Sequence, residues 1–281
     1  MARRLQFFGG PNPALRASRS APRDCERTRN AVPYGLYLSA DGAHAQARRL
    51  EVIANNLANV DTVGFKRDLA IFQARYAEEI AQGVDVPGSG SINDVGGGTM
   101  LLQTQTDFSP GPVKRTGMPT DVAIDGDGFF VVRKGDQNYL TRAGNFRLTD
   151  RGELVTQQGY PVLSETGAPV VIDMAAGPFQ ITPDGVVRQR GAAVALALVR
   201  PAPNSGLVKV GENLFRPQGD PQPLPAGQRR VAAGYLEMSG VRPTSEMVQL
   251  IEATRAIEAN LQLMQAHDQM LSGLVNRLLR V

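Results

Sequence analysis

Tryptophan is absent from these 281 residues, histidine occurs twice and cysteine once. Cys25 has no partner for an internal disulfide, and one thiol cannot build a tetrahedral zinc site alone. His44 and His267, the latter beside Asp268, have no Ser or Cys nucleophile motif with them, so a hydrolytic triad has no starting point. Both read as helix-surface or interface residues. No apolar run approaches the roughly eighteen residues of a membrane-crossing helix, so no membrane insertion is expected.

The glycine-rich stretches carry no ligand chemistry either. Gly96-Gly97-Gly98 lacks the Lys-Ser/Thr that completes a phosphate-binding loop. In Asp125-Gly126-Asp127-Gly128 the next alternate position is Phe129 and no closing Glu follows, which makes a tight turn rather than a calcium loop. The same stretch lacks the third glycine of a dinucleotide fingerprint and enters a strand, not a helix. No catalytic residue, no cofactor and no metal site is expected, and the chain reads as a non-enzyme.

The formal charge of +3 conceals an asymmetry. Residues 1–32 hold seven Arg against Asp24 and Glu26, a net +5 that leaves −2 for the remainder. The body is therefore not a polyanion binder, and no nucleic acid is expected as a partner. The first 32 residues have no hydrophobic periodicity, and no apolar core follows Arg3-Arg4, so a cleaved secretory signal fits poorly. They are expected to be a disordered basic extension outside the working protein, with Val32 read as an alternative initiation site.

What is present is a long amphipathic pattern at the C-terminal end. From Met247 a heptad seam runs through Leu250, Thr254, Ile257, Leu261, Met264, Asp268, Leu271, Val275 and Leu278, with no Gly or Pro until Gly273. Such a stripe must be buried against something. Near the other end, Leu36, Ser39, Ala43, Gln46, Leu50, Ile53, Leu57 and Val60 repeat the spacing, with Ala47 and Ala54 beside them as points of close approach. This helix is expected to end near Asn59, before Asp61-Thr-Val-Gly64.

Between the helices the texture changes. Residues 67–107, with the Gly/Pro/Ser-rich run from Gly83 to Gly98, read as a linker or extended region. From 108 to 236, short β-type runs alternate with turn signals at Asp125-Gly126, Asp127-Gly128, Gly135-Asp136 and Asp184-Gly185. They include Asp121–Ile124, Gly128–Arg133, Tyr139–Arg142, Asn145–Leu148, Glu153–Thr156, Pro169–Ile172, Gly185–Arg188 and Ala193–Val199. The expected fold is α+β: terminal helices from 33–66 and 237–281 forming a coiled-coil-like bundle, and a central all-β domain.

Four blocks carry a resemblance. Ala54-Asn-Asn-Leu-Ala-Asn-Val-Asp-Thr-Val-Gly-Phe-Lys66 resembles the N-terminal signature of bacterial flagellar rod and hook proteins. Thr120-Asp-Val-Ala-Ile-Asp-Gly-Asp-Gly-Phe-Phe-Val131, and Thr141-Arg-Ala-Gly-Asn-Phe146 followed by Gly152-Glu-Leu-Val-Thr156 and Gly159, are similar to their central blocks. Leu236-Glu-Met-Ser239, with Glu246-Met247, Ala253-Thr-Arg255 and Glu258-Ala-Asn260, is similar to their C-terminal signature. Gly240 stands where that family usually has Asn, and Ile257 where an aromatic is common. The resemblance spans about Tyr34 to Val281.

The resemblance implies an axial structural subunit of the flagellar basal body, exported by the flagellar export apparatus without a cleaved signal. It implies assembly with itself and with other rod proteins, the helices forming an inner tube and the β domain an outer layer. Counted from Val32, the length suits the proximal rod type better than the distal rod or hook types. The assembly interface is then expected at Leu50, Ile53, Asn55, Asn56, Leu57, Asn59 and Phe65, and at Met247, Leu250, Ile257, Asn260, Leu261, Met264, Leu271, Val275 and Leu278. The three asparagines are expected to supply helix-end and inter-subunit hydrogen bonds.

Overall fold

The computed structural model describes residues 34–76, 96–202 and 206–278, together with positions 80, 82, 83, 86 and 88. The expectations for residues 1–32 and for much of the Gly83–Gly98 run lie outside them. Helix α1 (Tyr34–Ala58) opens the described chain and α2 (Pro243–Leu278) closes it. Pro243 stands at the first helical position of α2, where its fixed φ suits the turn and its missing N–H costs nothing.

The two helices run antiparallel. Gly35 of α1 lies against His267 of α2, and Gly42 lies against Asn260. One heptad separates the two glycines, and one heptad separates their partners. The face of α2 turned to α1 carries Glu246, Ala253, Asn260 and His267, with Leu250, Ile257 and Met264 of the expected seam half-buried beside them and Met247, Leu261 and Asp268 of that seam exposed. Ala45, Ile53 and Ala253 are buried, whereas Ala54 is exposed. Gly35 and Gly42 of α1 leave room for the His267 and Asn260 side chains of α2.

Where a linker was expected, strands β1 (Asp68–Ala74) and β2 (Thr99–Thr106) form an antiparallel ribbon with a bulge between Ile71 and Phe72. The ribbon returns along α1: Arg75 pairs with Asp41 at 3.5 Å, and Gly98 packs on Leu38 and Asp41.

The middle of the chain is built of β-strands, with single-turn 3-10 helices at Met174–Ala176 and Ala226–Gln228. Its strands begin with β3 (Val113–Arg115), β4 (Val122–Ile124), β5 (Phe129–Lys134), β6 (Gln137–Thr141), β7 (Arg147–Leu148) and β8 (Leu154–Val155). They continue with β9 (Gln180–Ile181), β10 (Val186–Gln189), β11 (Ala192–Ala195), β12 (Leu198–Arg200) and β13 (Leu207–Gly211). The last are β14 (Leu214–Pro217), β15 (Gln222–Pro223), β16 (Val231–Ala233) and β17 (Tyr235–Glu237). The largest sheet has six strands in the order β13-β14-β6-β5-β12-β15, each pair antiparallel.

Alternation along β5 sets the two cores. Phe130 and Val132 point into one cluster with Leu154, Val162 and Leu198, while Phe129 and Val131 point into another with Leu140, Leu163 and Phe215. That period of two is the strand signature, and both faces of β5 are buried here. Phe108, Phe129 and Phe215 meet edge to face with centroids 5.5 to 6.0 Å apart. The expected run Ala193–Val199 is divided between β11 and β12, and Pro169–Ile172 contributes only isolated bridges.

Candidate functional site

Two features distinguish this molecule from a generic β domain with helices attached. One is a buried charged joint, and the other is an uncovered helix face.

The joint forms where the segment after α1 meets the strand before α2. Gly64 donates its amide to the Glu237 carbonyl at 2.7 Å, and Gly240 donates to the Phe65 carbonyl at 3.0 Å. These bonds tie the two signature blocks together across the length of the chain. Gly64 takes φ of 67°, and a β-carbon there would stand 2.6 Å from the Arg142 carbonyl carbon, so both conformation and space require glycine. Gly144 is needed for space alone, because a β-carbon would overlap the Val122 carbonyl oxygen.

Inside this joint Lys66 is almost wholly buried, with 1% of its side chain exposed. Its ammonium donates to Glu237 Oε1 at 2.6 Å and to the Ser109 carbonyl at 2.7 Å. The Gly111 amide donates to the same carboxylate oxygen at 2.9 Å, and the Arg142 Nε lies 3.3 Å from Oε2. Arg142 is held in the β domain by donating to the Gly126 carbonyl at 2.6 Å and by lying over the Phe129 ring. Burial pushes the Lys66 ammonium below the ordinary lysine value, and Glu237 opposes that shift. Burial also lowers Arg142, against the pull of Glu237 and Asp127.

A second strap reinforces the first. From β13, Lys209 donates to the Lys66 carbonyl at 2.5 Å, pairs with Asp68 at 2.8 Å and covers the Phe65 ring at 4.4 Å. Burial lowers its pKa and Asp68 opposes the change. Asn213, in the β13–β14 turn, donates to the Val63 carbonyl at 2.8 Å. A cavity of about 350 Å³ opens beside this strap, with Asn55, Asn59, Asn145 and Asn213 in its lining.

The asparagines expected at an interface have intramolecular partners as well. Asn56 is buried and bonds both backbone groups of Asp68, donating to its carbonyl and accepting from its amide, each at 2.9 Å. Asn59 donates to the Asn55 carbonyl at 2.8 Å, and Thr62 donates to Asn59. Asn55 itself is exposed. Ile53 and Phe65 are buried, and Leu50 and Leu57 are half-buried.

On α2 the expected residues divide. Leu250, Ile257, Asn260 and Met264 are half-buried beside the α1 contact. Met247, Leu261, Leu271, Val275 and Leu278 are exposed, together with Val248, Ile251, Leu263, Met270 and Leu274. Every residue from Asp268 to Leu278 is exposed, because the α1 face ends with Gly35 opposite His267. Sequence reasoning did not single out Lys66, Arg142 and Glu237 as a cluster. Their signal was present, since each sits inside one of the blocks that carry the family resemblance.

These blocks also match family models. Residues 36–66 match the flagella basal body rod protein model, 123–189 the flagellar hook protein FlgE/F/G D1 domain, and 232–278 the flagellar basal body rod FlgEFG protein C-terminal model. The chain is 35% identical over 260 residues to the flagellar basal-body rod protein FlgG of Bacillus subtilis, covering 86% of this chain and 97% of that protein. It is 35% identical over 245 residues to the rod protein FlgF of Caulobacter vibrioides, with the same coverages. The chain belongs to the flagellar rod and hook protein family. It is a structural, non-enzymatic rod protein of the flagellar basal body. FlgF of Rhizobium meliloti is similar too, at 34% identity over 246 residues, 87% of this chain and 97% of that protein. The joint thus lies where the N-terminal and C-terminal family segments meet the β domain.

Proposed function

We propose that this chain is a proximal, FlgF-type subunit of the rod, assembling along the axis through its terminal helices with copies of itself and with other rod proteins. The observation that carries this reading is the apolar face of α2, which α1 does not cover. At about 25 cal/mol per Å² of apolar surface removed from water, a stripe of exposed Leu, Ile, Val and Met gains by burial against neighbouring helices. Coiled-coil-like packing of α2 with helices of adjacent subunits would bury it, placing helices inward and β domains outward. Contacts of this heterologous kind, repeated without closing, build a helical tube suited to torque transmission. Delivery in this reading is through the flagellar export apparatus, without a cleaved signal.

Relatives of both types, FlgG of Bacillus subtilis and FlgF of Caulobacter vibrioides, are 35% identical to this chain, so the proximal assignment rests on the length counted from Val32 and not on identity. The equal 35% identity to FlgG favours a second reading, a distal rod subunit. Mass spectrometry of basal bodies from a strain lacking its distal rod protein separates the two. A proximal subunit is retained there and a distal one is lost. Absence of the chain from complete basal bodies refutes both.

A further inference from the structure

Glu237 gathers three separate stretches of chain. Its carbonyl accepts from Gly64, and its carboxylate accepts from Lys66 and Gly111 and pairs with Arg142. Lys66 follows α1, Glu237 ends the strand before α2, and Arg142 belongs to the β domain. All three side chains are at most 3% exposed. We propose that this cluster is a coupling lock, which makes the helical pair and the β domain open and close as one unit.

The physical reason lies in the cost of incomplete assembly. A buried charge without its partner is far less stable than one in water, and the Glu237 carboxylate offsets part of that cost for both Lys66 and Arg142. If α2 and β17 separate from the joint, Lys66 and Arg142 lose their common carboxylate while still enclosed. If the segment after α1 separates, Glu237 keeps the Gly111 amide but its remaining cation here is Arg142, whose Nε lacks hydrogen-bond geometry to it and whose Nη1 has no hydrogen-bond partner among the described residues. Partial opening therefore exposes the whole cluster or strands part of it. The lock does not depend on the rod assignment, and its test requires only the purified chain.

Residue-resolved amide exchange on the full chain provides that test. In the natural sequence the joint amides of Gly64, Gly111 and Gly240 are expected to exchange at the same slow rate as the β-core amides of Val132 and Leu140, as members of one cooperative unit. In Glu237→Gln, and separately in Lys66→Met, the joint amides should exchange at least about tenfold faster than that core, the change that accompanies loss of a charged hydrogen bond. Helix circular dichroism should then melt before the β-domain signal. Equal acceleration of joint and core in the variants overturns the proposal, as does a joint that already exchanges tenfold faster than the core in the natural chain. If Lys66→Met does not fold, Glu237→Gln, which keeps the side-chain shape, decides alone. Failure of both variants to fold also overturns it, because a lock between units leaves each unit able to form.

Discussion

Gly42 of α1 faces the Asn260 side chain of α2 across the contact between the two helices. A β-carbon on residue 42 would meet both Oδ1 and Nδ2 of Asn260 at 3.3 Å. One heptad away, a β-carbon on Gly35 would stand 2.9 Å from Nε2 of His267. The helix pair is therefore spaced by what its glycines leave out.

This spacing sets the first prediction. Gly42→Leu overfills the contact and should destabilise the helix pair by about 1–3 kcal/mol. Gly42→Ala has opposing effects, since alanine gains helix propensity but presses on Asn260. In an Asn260→Ala background the pressure is removed, and Gly42→Ala should then stabilise by about 0.5–1 kcal/mol. Urea unfolding followed by helix circular dichroism measures both. A Gly42→Leu protein with unchanged stability would show that the helices are not in this register.

The second prediction separates Asn56 from Asn55. Asn56→Ala orphans the amide and the carbonyl of Asp68 at a buried site and should cost about 1–3 kcal/mol per group left unpaired. Asn55→Ala, at an exposed position, should stay within about 0.5 kcal/mol in the isolated chain. Thermal unfolding of the single variants gives the ranking. If Asn55→Ala nevertheless blocks assembly into basal bodies, its role lies between subunits and not within one.

The helices and the central strands were legible because local chemistry and tertiary structure agree in them. Gly135-Asp136 reads as a two-residue hairpin loop, and β5 and β6 do pair across it, from Lys134 opposite Gln137. The β13–β14 hairpin was missed because its turn places Glu212 and Asn213 at φ of 54° and 59°, with no Asn-Gly or Asp-Gly signal. β1 and β2 were missed because their pairing spans the Gly/Pro/Ser-rich run and their residues are mixed in polarity. Periodicity identifies the apolar stripe of α2, of which Leu250, Ile257 and Met264 lie beside α1, but it does not reveal that Asn260 and His267 are the side chains seated against the glycines of α1. Burial of Lys66 rests on Glu237, 171 positions away, and no local pattern reveals such a partner.

The uncovered stripe yields a third prediction. Leu271→Asp with Leu274→Asp alters two exposed positions on α2 beyond the end of α1. The melting temperature of the isolated chain should change little, with stability within about 0.5 kcal/mol per site. Incorporation into basal bodies, measured by mass spectrometry, should fall severely, because a charge buried between helices is costly. A variant that assembles normally would remove this part of α2 from the subunit interface.

Asp107 provides a prediction in pH. Its carboxylate accepts from the Ser109 hydroxyl at 2.5 Å and the Ser109 amide at 3.0 Å, and it pairs with Arg67 at 2.9 Å. The Ser109 hydroxyl foremost, then the Ser109 amide, with Arg67 contributing less, hold its pKa at about 2. Because the folded value is depressed, the contribution to stability is complete above the unfolded value of 3.8 and is lost as pH falls towards 2. Ser109→Ala should move the Asp107 midpoint upward in a carboxyl-carbon NMR titration. Asp107→Asn should melt below the natural chain at pH 6, and the gap should close on acidification through this window. A gap that stays constant from pH 6 to the acid limit would mean that the ionised carboxylate does not fasten the connection between β2 and the joint.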